Sequence, residues 1–123
     1  MSRSESTNVR GQQAEHLALR YLMAQGLRLL EQNYRCRCGE IDLVMHDHRT
    51  LVFVEVRFRS HSGFGGAAAS IDGRKQGRLI NTAHHYLQRH RQAESLCRFD
   101  VVAIGPGGDN DIEWLQNAIT ATE

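Results

Sequence analysis

The chain has 123 residues, of which 41% are hydrophobic and 24% are charged, and these proportions are ordinary for one soluble globular domain. No run of eighteen apolar residues and no apolar signal core occur in it, so the composition predicts a bacterial-type cytoplasmic protein without a membrane span. The net charge of +1 gives little sign of nucleic-acid binding. All basic residues except Lys75 are Arg, for which GC-rich coding is the first explanation, although Arg also binds phosphate well.

The predicted elements follow the order α-β-β-β-α-β-β, which indicates an α/β fold with helices packed on a mixed sheet. Residues 1–8 are predicted to be disordered. Apolar residues at helical spacing predict a first helix from Val9 to about Gln25, and Gly26 ends it. The remaining predictions are strands at 27–33, 36–45 and 50–58, a loop at 60–70, a second helix from Ser70–Gly73 to about His90, and strands at 96–105 and 111–119.

No repeat, linker or second domain interrupts this order. Residues 9–116 are therefore predicted to form a single domain, and residues 117–123 a C-terminal tail.

The segment GEIDLVMHDHRTLVFVEVRFRS, at 39–60, predicts a hairpin that carries carboxylates on one face. A two-residue turn at 48–49 would place Asp42 opposite Glu55 and Glu40 opposite Arg57. Two opposed carboxylates repel each other, and partial burial adds a desolvation cost. A divalent cation removes both penalties, because one or two carboxylates with waters and phosphate oxygens make a Mg²⁺ site.

This hairpin therefore predicts metal-assisted phosphodiester hydrolysis, with Arg57 placed to hold a phosphate. The alternative is a solvated face with a Glu40–Arg57 ion pair, which would contribute little to stability. The apolar flank TLVFVEV favours the partly buried site.

Outside the hairpin, two further groups invite interpretation. Asp100 follows Arg98 by two residues on one strand face, and we expect an Arg98–Asp100 pair rather than a further member of the acidic cluster. Cys36, Cys38 and Cys97 are too few and too unevenly spaced for a disulfide framework or a structural zinc site, so we expect reduced thiols whose role stays open.

At these residues the sequence also resembles known proteins. GEIDL followed by FVEVR resembles the PD-(D/E)XK nuclease pattern, in which an Asp on one strand precedes Glu-x-Lys on the next. The stretches GQQAEHLALRYL, NYRCRCGEIDLV, LVFVEVRFRS, FGGAAASI, KQGRL and CRFDVVAI, over about residues 11–104, more closely resemble the YraN-like family of uncharacterised bacterial proteins. That family is similar in fold to archaeal Holliday-junction resolvases, which implies a restriction-endonuclease-like α-β-β-β-α-β core.

The resemblance implies a DNA endonuclease that uses Mg²⁺ or Mn²⁺, with branched DNA as a candidate substrate and a homodimer as a candidate assembly. Asp42 and Glu55 match the metal ligands and, with Arg57, the catalytic positions of the pattern. The backbone carbonyl of Val56 would be a third ligand, and Glu15 and Glu40 are further candidate ligands.

Arg57 stands where the nuclease pattern has Lys. Arg stays protonated and cannot act as a base, although it can hold a phosphate. Lys75, in the second helix, is a candidate substitute, and the alternative function is a catalytically inactive nucleic-acid-binding or adaptor protein on the same fold. The candidate nucleic-acid-binding residues around the acidic cluster are Arg35, Arg37, Arg59, Lys75, Gln76 and Arg78, and a solvated basic surface is the simpler interpretation of them.

Overall fold

The computed structural model of the protein describes residues 3–59, 71–92 and 94–119. In this part of the chain the elements are α1 (Arg3–Ala24), β1 (Arg28–Cys36), β2 (Gly39–Asp47), β3 (Thr50–Phe58), α2 (Gly73–Arg89), β4 (Cys97–Ile104), a short 3-10 helix (Gly108–Asn110) and β5 (Ile112–Ile119). The predicted element order and the α/β class are confirmed. The whole predicted loop at 60–70 lies outside the described residues, as do residues 120–123 of the predicted tail.

The five described strands form one mixed sheet in the order β1-β2-β3-β4-β5. Neighbouring strands are antiparallel except β3 and β4, which are parallel. A parallel pair needs a long crossover connection, and α2 lies within the connection between these two strands. The sheet therefore brings the second arm of the acidic hairpin, β3, to its centre.

The predicted register of the β2–β3 hairpin is confirmed. The paired positions run from Asp47 and Thr50, beside the turn, to Leu43 and Val54. His48, the first residue of the two-residue turn, has a φ of 57°, as tight hairpin turns require. Asp42 and Glu55 are the next positions along the two strands, so the turn geometry alone brings these two carboxylates together.

Each face of the sheet is covered by one helix. Leu43, Val52 and Val54 face α1 and pack with its buried Ala18 and Leu22. The alternate strand positions face α2, and their buried core members are Val44, Leu51, Phe53, Phe99, Val101 and Ala103. Because side chains alternate along a strand, Glu55 lies on the α2 face of the sheet.

Several element boundaries differ from the prediction. The helix α1 begins at Arg3 rather than Val9, so the predicted first helix starts six residues too late. Polar residues such as Ser4 and Glu5 extend a helix without adding an apolar stripe, and the prediction had relied on that stripe.

The predicted strand at 36–45 is divided by a turn. Residues 37–38 form this turn, and β2 begins at Gly39, with a φ of 151°. A Cβ at this position would also lie 3.2 Å from Thr82 Oγ1 in α2, so both backbone and space favour glycine. None of the described helices has the length and apolar character needed to cross a membrane.

Candidate metal centre

Asp42 and Glu55 are on neighbouring central strands and line one small cleft. Asp42 is half-buried and its Oδ2 accepts a hydrogen bond from the Val56 backbone N–H at 2.8 Å. Burial and then the negative charge of Glu55 raise the pKa of Asp42 from 3.8 to about 8, although the Val56 hydrogen bond opposes this. A bound cation would favour the ionised form of Asp42 and relieve this repulsion.

Glu55 is the more deeply buried of the two, with 6% of its surface exposed. Its Oε2 lies 3.3 Å from Lys75 Nζ at the start of α2 and 3.4 Å from Arg57 Nη1, two positions further along β3. The start of α2 is fixed by Asp72, whose Oδ1 accepts a hydrogen bond from the Lys75 N–H at 2.8 Å. This N-cap holds the backbone of Lys75 so that its ammonium group reaches Glu55.

The cleft itself has a volume of about 60 Å³. A space of this size takes a few water-sized ligands and excludes a nucleotide, so a phosphate would approach only at the mouth. The lining residues are Gly39, Glu40, Asp42, Glu55, Lys75, Arg78 and Leu79. A larger groove, of about 400 Å³, lies beside α1 and is lined by Gln12, Gln13, His16 and Leu17, with no carboxylate pair.

Two further carboxylates add negative charge to the site. Burial, and next the charge of Glu40, raise the pKa of Glu15, and Glu55 also contributes to this rise. Glu15 and Glu40 act in the same direction on Asp42. These carboxylates come from α1, β2 and β3, and the assignment of Glu15 and Glu40 as metal ligands stays a prediction.

The Glu40–Arg57 ion pair of the alternative interpretation is not formed. Glu40 instead pairs with Arg35, whose Nε lies 2.5 Å from Glu40 Oε2, and Arg57 pairs with Glu55. The reason is the β1–β2 turn, which makes Arg35 the direct cross-strand partner of Glu40. The sequence had suggested only the β2–β3 partner.

The ligand set fits Mg²⁺ better than a metal that needs a complete protein cage. Within residues 3–59, 71–92 and 94–119, no group of three or more His, Cys, Asp or Glu side chains is arranged to hold a metal ion. Two carboxylates are enough for Mg²⁺, which commonly keeps several waters and takes one or two carboxylates with substrate phosphates. Asp42 and Glu55 carry the two carboxylates that such a site would need.

The predicted phosphate-binding residues divide into three groups. Arg35, Arg37 and Arg78 are exposed, and Arg78 lines the cleft. Lys75 lies inside the cleft. Gln76 is not among the described lining residues, and its Nε2 donates a hydrogen bond to the Ile71 carbonyl at 2.9 Å.

Arg59 was also predicted on the rim, and this is wrong. Its side chain is buried, and its Nη2 lies 2.8 Å from Asp111 Oδ1. The backbone at Arg59 still bonds to β4, through an N–H donated to the Ile104 carbonyl at 2.7 Å. The side chain thereby reaches the turn before β5, a long-range contact that sequence spacing does not reveal.

Asp100 lies on the other face of the sheet. It is fully buried, with 0% exposure, and Arg98 Nε donates to its Oδ1 at 3.0 Å. Trp114 Nε1 and the Asn117 backbone N–H, both in β5, also donate to this carboxylate at 2.9 Å. The expected Arg98–Asp100 pair is present, whereas the two β5 donors had no signal in the sequence.

Comparison with known proteins gives one consistent result. The profile of the uncharacterised protein family UPF0102 matches residues 14–104, a range that includes every residue lining the cleft. A UPF0102 protein from Methylobacillus flagellatus is 56% identical over 111 residues, which cover 90% of this chain and 96% of that protein. A UPF0102 protein from Nitrosomonas europaea is 55% identical over 113 residues, 92% and 95% of the two chains. A third, from Stutzerimonas stutzeri, is 55% identical over 120 residues, 96% and 98% of the two chains.

Proposed function

This chain belongs to the uncharacterised protein family UPF0102, the YraN-like family that its motifs resemble, and we propose that it is a divalent-metal-dependent DNA endonuclease. The observation that carries the proposal is the Asp42–Glu55 pair, two carboxylates on adjacent strands that meet in a partly buried cleft. Keeping two such charges close together and partly desolvated is costly without a cation. A bound Mg²⁺ or Mn²⁺ would offset that cost.

Asp42 and Glu55 would supply two oxygen ligands, and the Val56 carbonyl a third. When bound, the ion would lower the pKa of a water and neutralise charge on the scissile phosphate. Arg57, two positions beyond Glu55 on β3, would hold a phosphate oxygen at the mouth of the cleft. Arg35, Arg37 and Arg78 would bind the neighbouring backbone phosphates, and branched DNA and a homodimer stay predictions.

Lys75 is the residue we assign to the role that Arg57 cannot perform. Its ammonium group lies 3.3 Å from Glu55, and a lysine, unlike an arginine, can release its proton in a protein. From this position it can orient the attacking water or exchange a proton with it. The nuclease pattern places its lysine on the strand, whereas here the only lysine of the chain reaches the same carboxylate from a helix.

A second candidate function is a nucleic-acid-binding or adaptor protein that has no catalytic activity. The observation that favours it is the pairing of Glu55 with both Arg57 and Lys75, because a carboxylate already paired with cations does not require a metal. This candidate predicts salt-sensitive DNA binding without any effect of Mg²⁺ on the Asp42–Glu55 cleft.

The direct test is a titration of isotope-labelled protein with Mn²⁺, followed by NMR. We expect the amides of Asp42, Glu55 and Val56 to broaden first, because paramagnetic broadening falls steeply with distance. The indole N–H of Trp114, which bonds to Asp100 on the opposite face, is the internal control and should broaden later. Absence of localised broadening, with a short DNA duplex also present, would contradict the metal site and favour the binding protein.

A further inference from the structure

The β1–β2 turn brings two thiols together beside the cleft. Cys36 is the last residue of β1 and Cys38 lies in the turn. The Cys38 backbone N–H donates a hydrogen bond to Cys36 Sγ at 3.3 Å, and the two thiols are close enough to influence each other's pKa. Side chains in such contact can form a disulfide without a large movement of the backbone.

The surroundings of Cys36 favour its thiolate. Burial opposes ionisation of Cys36, but the N–H groups of Cys38 and Gly39, with the Thr82 hydroxyl and the Cys38 thiol, lower its pKa below the ordinary value of a thiol. The Thr82 hydroxyl hydrogen is already donated to the Arg78 carbonyl, so we give most weight to the two backbone donors. Cys38 is exposed, so an oxidant can reach the turn.

Cys97 is a built-in comparison. It is also exposed and free, at the start of β4, but partial burial raises its pKa, and no hydrogen bond opposes that effect. The chain thus contains one thiol in an activating turn beside a second thiol, and another thiol without these features.

We propose that Cys36 and Cys38 form an oxidisable dithiol that reacts with peroxides and closes to an intramolecular disulfide. The thiolate of Cys36 attacks one peroxide oxygen, the O–O bond breaks, and the other oxygen leaves and is protonated to water or an alcohol. Cys36 is then a sulfenic acid. The sulfur of Cys38 attacks the sulfur of Cys36, the S–S bond forms, the S–O bond breaks, and water leaves.

This reaction balances without a further reactant. The two thiols give up two hydrogen atoms, and one peroxide O–O bond is reduced. In a reducing cytosol the dithiol would be the resting state and the disulfide a transient product. Because Gly39 and Glu40 follow the turn directly and line the cleft, closing this small ring would also change the surroundings of those two residues.

The disulfide can be detected by tryptic digestion, because Arg37 lies between the two cysteines. Reduced protein is treated with one equivalent of hydrogen peroxide, the remaining thiols are alkylated, and trypsin is added without reductant. Cleavage after Arg35 and Arg37 releases the dipeptide Cys36-Arg37, and the disulfide would hold it to the peptide that begins at Cys38. The expected product is this linked pair, and its mass falls by two hydrogen atoms relative to the two thiol peptides.

The rates give the second readout. We expect Cys36 to be oxidised about tenfold faster than Cys97, whose tryptic peptide is separate, because thiolate content controls the reaction. In Cys38→Ser, dimedone should trap a sulfenic acid on Cys36, while Cys97→Ser should form the linked peptides as wild type does. Equal oxidation of Cys36 and Cys97, or overoxidised Cys36 beside a free Cys38 thiol in wild type, would overturn the proposal.

Discussion

Two carboxylate sites on opposite faces of the same sheet have opposite surroundings. Asp100 is fully buried and receives hydrogen bonds from Arg98, Trp114 and Asn117. Asp42 keeps some exposure, receives one hydrogen bond in the described structure, from Val56, and faces a second carboxylate, Glu55. The first site is electrostatically complete, whereas in the second Asp42 faces another carboxylate, and the cations of the described cleft pair with Glu55.

This difference separates a structural carboxylate from a functional one. A buried charge with a cation and two N–H donors stabilises the packing of β4 against β5, and nothing remains for a ligand to do. A pair of carboxylates in an open cleft costs stability in the free protein and gains it when a cation binds. Removal of the Asp100 carboxylate should therefore lower stability and leave metal binding unchanged. Removal of a carboxylate from the cleft should abolish metal binding and leave the fold intact.

The largest effect is expected from removal of charge in the cleft. Asp42→Asn and Glu55→Gln should each lower DNA cleavage in Mg²⁺ by about a thousandfold, or about 4 kcal/mol of barrier, and abolish local Mn²⁺ broadening. Their folding should be intact, as measured by circular dichroism and chemical denaturation. The matched control is Asp109→Asn, an exposed position away from the cleft, which should cleave like wild type. Two folded cleft variants that cleave normally would exclude the catalytic assignment.

The next largest effect is expected from substitution of Asp100, on the face of the sheet opposite the cleft. Asp100→Ala should lower the free energy of unfolding by about 3 kcal/mol, because it removes the fully buried partner of Arg98 and leaves that charge with the partly exposed Asp47 as its partner. It also leaves the Trp114 and Asn117 N–H groups unpaired. Urea denaturation measures the loss. Metal binding by whatever protein remains folded should be unchanged, and a loss of stability as small as that of Asp109→Asn would remove the contrast between the two faces.

Substitutions of Lys75 test whether this residue replaces the lysine that the nuclease pattern has at the position of Arg57. Lys75→Ala should lower cleavage by about a hundredfold, or about 2.7 kcal/mol, because the attacking water would lose the group assigned to orient it. Lys75→Arg keeps a positive charge near Glu55, but arginine does not release its proton in a protein. This variant should therefore bind DNA like wild type without recovering the cleavage rate. Arg74→Ala, on the exposed side of the same helix turn, is the control. Full activity in Lys75→Ala would contradict the assigned role.

Part of this contrast could be read from the sequence, and part could not. The hairpin turn at 48–49 and the alternation of side chains were enough to bring Asp42 and Glu55 together, because both depend on local geometry. The partner of Arg59 and the β5 donors to Asp100 could not be predicted, because they come from the turn before β5 and from a shifted register between β4 and β5. Such long-range contacts depend on how strands pack, which periodicity does not encode.

The same limit applies to the cations of the cleft. The alternation of side chains on the hairpin placed Arg57 opposite Glu40. The β1–β2 turn instead makes Arg35 the cross-strand neighbour of Glu40, and these two residues form an ion pair. The sequence did not indicate that turn, because the pattern of residues 36–45 predicts one continuous strand. Only the glycine at position 39, with its positive φ, distinguishes a turn there from an extended segment.

The smallest effect concerns pH and tests the burial of Asp42 and its repulsion by Glu55. The pKa of Asp42 is raised from 3.8 to about 8 in the folded protein, so folding favours its protonated form. The unfolded chain binds fewer protons between these pH values, and the free energy of unfolding of metal-free protein should fall from about pH 4 to about pH 8. Asp42→Asn lacks this titration but keeps an oxygen that can accept the Val56 N–H.

The variant should therefore gain about 1 to 2 kcal/mol over wild type between pH 5 and pH 8, less than the full shift would give because the carboxylate is partly solvated. Urea denaturation at a series of pH values, in the presence of a chelator, measures the gain. Added Mg²⁺ should reverse the sign at pH 8, because the ion competes with the proton for Asp42 and stabilises only the wild-type protein. Parallel stability curves for the two proteins, with and without Mg²⁺, would show instead that the cleft is as complete as the Asp100 site.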